Sequence, residues 1–70
     1  MAIEVRRRDG HERYYYKVTG GTSIPLGTKD NPHSANVERC YKQFLKSRAR
    51  LVKEEQIFRT LLDAIEKQKA

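Results

Sequence analysis

Five side chains in the first half of the chain have types and spacing that could act together: Arg6, Arg8, Arg13, Tyr15 and Lys17. If the segments that carry them are extended, alternate residues share a face. All five then fall on one side, with Glu4 as the single acid among them. An arginine can grip a phosphate or bond two acceptors on a guanine edge, and a lysine neutralises phosphate. A tyrosine between them can stack or bond a phosphate oxygen. The plainer reading is a solvated sheet face, but such faces usually mix signs, and four bases against one acid favour polyanion binding. A second set, Lys42, Lys46 and Arg50, continues to Lys53 in steps of four, four and three, with Arg39 and Arg48 nearby. On one helix these would form a stripe. That stripe could hold a backbone or an acidic protein, but a solvated helix face is the favoured explanation.

Other chemistries find little support. Glu54 and Glu55 sit among lysines on a polar helical stretch, where carboxylates stay ordinary. Thr19-Gly20-Gly21-Thr22 is a hairpin signal with no GKS or GKT after it, so it is no phosphate loop. Ser23, Ser34 and Ser47 have no evident base beside them. Cys40 is the only cysteine, and His11 and His33 stand apart. No disulfide, metal centre or cofactor is therefore expected, and the lone thiol fits a reducing cytoplasm. The start Met1-Ala2-Ile3-Glu4-Val5 has no long apolar run, which predicts neither a leader nor a membrane span. With 70 residues, one small domain is expected, with little room for a catalytic cleft. The expectation is a binding protein rather than an enzyme.

Three strands must position the five side chains. Ile3 to Arg8 alternates, with Ile3 and Val5 on one side and Glu4, Arg6 and Arg8 on the other. Asp9-Gly10 suits a tight turn, and His11 and Glu12 could lengthen it. Arg13 to Val18 is aromatic and β-branched. Gly20-Gly21 signals a second turn, and Thr22 to Leu26 a short third strand. Pro25 makes that strand an edge or ends its pairing, and Gly27 turns the chain away. The apolar face would be Ile3, Val5, Tyr14, Tyr16, Val18, Ile24 and Leu26. Of the run Tyr14-Tyr15-Tyr16, only Tyr15 would be free for a ligand. Arg7 breaks the alternation and points to the apolar side, where at a strand end it can extend to solvent or reach a phosphate.

After Pro32 the texture changes, and 38 residues pass without Gly or Pro. Asn31 is the expected N-cap, with Pro32 as the first helical residue. From Pro32 onward a single straight helix would be roughly 58 Å long at ~1.5 Å per residue. A compact domain of this length is only about 30 Å across. The segment must break, protrude or pair with another chain. Val37, Phe44, Leu51, Phe58 and Ile65 recur every seven residues, but Arg48 and Glu55 interrupt the companion positions between Tyr41 and Leu62. A strong zipper is not expected, and a break near Lys46–Arg50 into two helices is favoured over one long helix. The fold class is α+β: a three-stranded antiparallel sheet over residues 1–31, packed against a helical segment over 32–70.

The order of these signals resembles the N-terminal arm-type DNA-binding domain of phage-type tyrosine integrases. The similar residues are Val5-Arg6-Arg7-Arg8-Asp9-Gly10, Tyr14-Tyr15-Tyr16, Thr19-Gly20 and Leu26-Gly27-Thr28, within residues 3 to 45. The resemblance implies a sheet, backed by a helix, that enters the major groove through Arg6, Arg8, Arg13, Tyr15 and Lys17. It implies no recombination, since nothing here matches the integrase catalytic domain, and the helical half exceeds what that fold needs.

Two functions therefore stand as expectations. The first is nucleic-acid binding through the sheet, with duplex DNA ahead of RNA. The second is an adaptor that docks a partner protein, or a second copy, through Phe44, Leu51, Phe58, Leu62 and Ile65. The net charge of +6 does not choose between them, because residues 1–33 contribute only +2 of it. Placement of the bases on one face is what favours the first.

Overall fold

In a computed structural model, residues 2–47 and 52–69 are described. Three strands, β1 (Ala2–Arg8), β2 (His11–Lys17) and β3 (Ser23–Thr28), are followed by α1 (Ser34–Ser47) and α2 (Val52–Lys69). The sheet is antiparallel in the order β1-β2-β3. Asp9-Gly10 alone forms the first turn, both residues at positive φ (52° and 78°), as the favoured two-residue hairpin requires. His11 and Glu12 consequently belong to β2 rather than to a longer loop. β1 and β2 pair Ile3 with Tyr16, Glu4 with Tyr15, Val5 with Tyr14 and Arg6 with Arg13. This register puts the apolar and basic sets on opposite faces.

β3 runs two residues beyond the expected Leu26. A bulge opposite Tyr14 and Tyr15 lets Leu26 point inward while Gly27 still pairs with Tyr14. Gly27 has φ +89° and bridges to Pro32. The His33 amide donates to the Leu26 carbonyl at 2.9 Å. These contacts tie Pro32 and His33 back to β3, so the expected cap at Asn31 and helix start at Pro32 move two residues on. α1 begins at Ser34, with the His33 carbonyl accepting from the Val37 amide at 2.9 Å. A Cβ at position 27 would lie 2.5 Å from the His33 ring and 2.6 Å from the Asn31 carbonyl oxygen. Gly27→Ala should therefore cost about 2 kcal/mol or more, between the left-handed backbone and the clash. Thermal unfolding should shift down by roughly 10 °C; an unchanged midpoint would mean this corner is not fixed as described.

The helical half is two helices, and the largest dimension of the molecule is 31 Å. The Ser47 hydroxyl donates to the Phe44 carbonyl at 2.8 Å, at the last turn of α1. The end of α2 returns to the start of α1, where Lys69 lies 3.9 Å from Glu38 and Gln68 donates to the Asp30 carbonyl. Both helices cover the inner sheet face. Tyr14, Tyr16, Leu26, Val37, Cys40, Phe44, Phe58, Leu61 and Ile65 form the core, with Ile3, Val18, Ile24, Tyr41, Ile57 and Leu62 packed around it. Cys40 is buried as an apolar filler would be, and burial pushes its thiol pKa up. Among the described residues no helix is long and apolar enough to cross a membrane.

Candidate nucleic-acid interface

The outer sheet face carries Glu4, Arg6 and Arg8 from β1 and His11, Arg13, Tyr15 and Lys17 from β2. Cross-strand pairing places Arg6 beside Arg13, Glu4 beside Tyr15 and Arg8 beside His11. The pairing thus brings together all five residues singled out on the sheet. Their charges are not equally available. Glu4 lies 2.6 Å from the Arg6 guanidinium and 3.2 Å from the Lys17 ammonium. The Arg6 guanidinium also sits over the Tyr15 ring, 4.4 Å from its centroid. Arg6 is thereby fixed from two sides, and Tyr15 offers less open ring than its sequence position suggested. Arg8 and Arg13 have no ion-pair partner among the described residues. With Arg6, Asp9, His11 and Tyr15 they line a shallow groove of about 240 Å³ at the turn end of the hairpin. A second groove, of about 280 Å³, shares Arg13 and Tyr15 and runs across the β3 bulge to Asn31 and His33.

Hydrogen bonds from Arg6, then from Lys17, hold the Glu4 carboxyl below the usual glutamate range. A depressed folded-state pKa adds stability that is present above the unfolded pKa and lost as pH falls through the folded one. The two ion pairs should therefore survive mild acid and open only below the ordinary glutamate midpoint. An NMR titration of the Glu4 carboxyl should find its midpoint below that of an unstructured glutamate. A midpoint at or above that value would mean that Arg6 and Lys17 are not paired in solution.

Arg7 points to the inner side, as the broken alternation implied, and its charge is met there. Its guanidinium is 3.0 Å from Glu12, whose other carboxylate oxygen accepts from the Tyr14 hydroxyl at 3.2 Å.

The helical cations do not join the sheet face. Lys42 and Lys46 are exposed on α1 and line a groove of about 560 Å³ with Arg39, Gln43, Val18 and Ile24. Arg50 lies outside the described residues. Lys53 belongs to α2 and lines a different groove, beside Ile3 and Val5. The four-four-three spacing assumed one continuous helix, and the division into α1 and α2 removes that premise.

Among the described residues, the expected docking stripe is not a surface. Phe44, Phe58 and Ile65 are buried in this chain's own core, and Leu62 is half-buried against it. Leu51 lies outside the described residues. Folding two helices back on a sheet needs an apolar side on each, and the seven-residue repeat supplied it. Leu45 and Val52, which that stripe did not include, are exposed instead.

Glu54 was not foreseen. It is 7% exposed, and its buried Oε2 has no hydrogen-bond partner among the described residues. It stands in the first turn of α2, where the helix dipole favours a carboxylate. It also lines a groove of about 980 Å³ between the inner side of β1 and α2. Its neighbours Lys53 and Glu55 read as a solvated helix, and only the packing of α2 on the sheet turns Glu54 inward.

Comparison of the chain with protein-family models, curated proteins and solved structures returned no match.

Proposed function

We propose that the protein is a non-catalytic nucleic-acid-binding module that engages duplex DNA through the outer face of its sheet. The observation that carries this reading is the pair Arg8 and Arg13, two exposed guanidiniums without ion-pair partners among the described residues, across a groove at the hairpin end. A sheet of this width fits the major groove of B-DNA. There Arg8 and Arg13 grip phosphates or guanine edges. Arg6, held between Glu4 and Tyr15, presents a fixed guanidinium. Lys17 adds a phosphate contact at the far end of β2. The likeness of Val5–Gly10, Tyr14–Tyr16 and Leu26–Thr28 to the integrase arm-type domain supports the same docking mode. The adaptor reading loses its motivation, because the stripe that suggested it packs inside.

The test is a binding assay against duplex DNA, single-stranded DNA and RNA of equal length at one salt concentration. Duplex DNA should bind tightest. A-form RNA presents a deep, narrow major groove that side chains do not enter. Equal or tighter binding to RNA or to single strands would overturn the duplex assignment.

A further inference from the structure

The two edges of the sheet are not alike. β3 carries Pro25, which has no amide hydrogen, and the Asn36 side chain donates to the Pro25 carbonyl at 3.2 Å. The Gly27–Pro32 bridge occupies the end of the same edge. β1 is seven residues long, has no proline and no bulge, and has no described strand beyond it. In a two-residue hairpin the pair flanking the turn, Arg8 and His11, is the hydrogen-bonded one. Alternation then directs the backbone N–H and C=O groups of Ile3, Val5 and Arg7 to the open side. Natural edges of this kind are blunted by charge. Here the charge is lopsided: Ala2-Ile3-Glu4 carries one acid, and Arg6-Arg7-Arg8 carries three bases.

We propose that two copies of this chain pair through β1, antiparallel and centred on Val5, to make one six-stranded sheet. Centring on Val5 overlaps all seven residues of the strand. It sets Glu4 opposite Arg6 of the second copy, twice by symmetry, and Ile3 opposite Arg7. Val5, exposed in the single chain, meets its own counterpart. Centring on Glu4 or on Arg6 would oppose like charges at the two-fold axis, and a parallel pairing in register would stack every arginine on its copy. The pairing also places Arg7 of the second copy beside Ile3, on the wall of the groove that holds Glu54 and Ile57. The isologous contact closes, so the assembly stops at two.

A single strand-to-strand seam lies at the small end of specific interfaces, so association of micromolar order is expected. If the proposed DNA contact holds, the two outer faces become one basic surface with two-fold symmetry. The pairing itself does not depend on that reading, and its test uses no DNA.

The test is sedimentation of the full chain up to about 500 µM, a range that reveals micromolar dissociation constants. The natural sequence should dimerise. Glu4→Arg alone and Arg6→Glu alone should each weaken self-association at least about tenfold, because each sets like charges face to face. An equal mixture of the two variants should dimerise again, since each supplies what the other lacks. Val5→Cys should form a cross-linked dimer on oxidation, because opposed residues of a hydrogen-bonded pair stand about 5.5 Å apart at Cα, within disulfide range. Ile3→Cys should not. A monomer throughout the range, a mixture that stays monomeric, or cross-linking through Ile3→Cys in preference to Val5→Cys would overturn the proposal.

Discussion

Phe58→Ala should remove about 3–5 kcal/mol of stability, the usual cost of truncating a fully buried aromatic. Phe58 has no exposed surface. Its ring lies 5.4 Å from that of Tyr41, 5.6 Å from Phe44 and 5.8 Å from Tyr16. It is the one side chain whose ring meets aromatics of both β2 and α1 from α2. Alanine there would leave a cavity bounded by three elements, none of which can move in alone. A chain of this size has only about 4–10 kcal/mol in total. The thermal midpoint should fall by roughly 15–30 °C, read by circular dichroism. A fall of less than about 5 °C would mean that α2 is not seated on the sheet as described.

The second large effect concerns binding. Replacing Arg8 and Arg13 together with alanine should weaken duplex affinity about a hundredfold or more, since each guanidinium–phosphate bond is worth roughly 1.5–3 kcal/mol. The slope of log affinity against log salt should flatten by about 1.8, the share of two phosphate contacts. Neither arginine packs in the core, so the thermal midpoint should hardly change. Arg6→Ala should cost less, because Glu4 already offsets that charge. Lys42→Ala with Lys46→Ala should leave the affinity nearly intact, because those side chains line a separate groove on α1. If the two lysines on α1 matter more than Arg8 and Arg13, the interface lies on the helix.

These two predictions divide along the line between what a sequence displays and what it hides. Alternation in Ile3–Arg8 and Arg13–Val18 was enough to assign the faces, because a period of two has only two outcomes. The Asp9-Gly10 turn then set the register. Length alone left a break, a protrusion or a pairing with another chain, since 39 residues cannot run straight on a domain this small, and the charged middle of the seven-residue stripe favoured the break. Long-range contacts were the hidden part. The bridge from Gly27 to Pro32 overrode a good local cap at Asn31. Glu4 took up Arg6 along its own strand and Lys17 across the strand pairing, and charge counting sees neither. Phe44, Phe58 and Ile65 had the spacing of a docking stripe, yet spacing alone does not say whether the partner is another chain or the same one. Glu54 gave no signal at all. Its burial arises where α2 meets β1, far from it in sequence.

The proposed binding site is correspondingly narrower. Composition spread +6 over the whole chain, and alternation reduced the candidates to five residues on one face. The ion pairs at Glu4 reduce them again, to Arg8 and Arg13 at the hairpin end, with Arg6, Tyr15 and Lys17 as a fixed neighbourhood. A phosphate reaching that end meets charge that has no competing partner among the described residues.

The most direct test is an NMR titration of the labelled protein with a duplex of about 20 base pairs at physiological salt, where non-specific contacts are already weakened. Amide shifts should concentrate at residues 6–8, 11–13, 15 and 17. Residues 57–69 of α2, on the other side of the sheet, should stay unmoved. Shifts centred on α1 or α2, with the hairpin end silent, would contradict the claim that the outer face of the sheet is the binding surface.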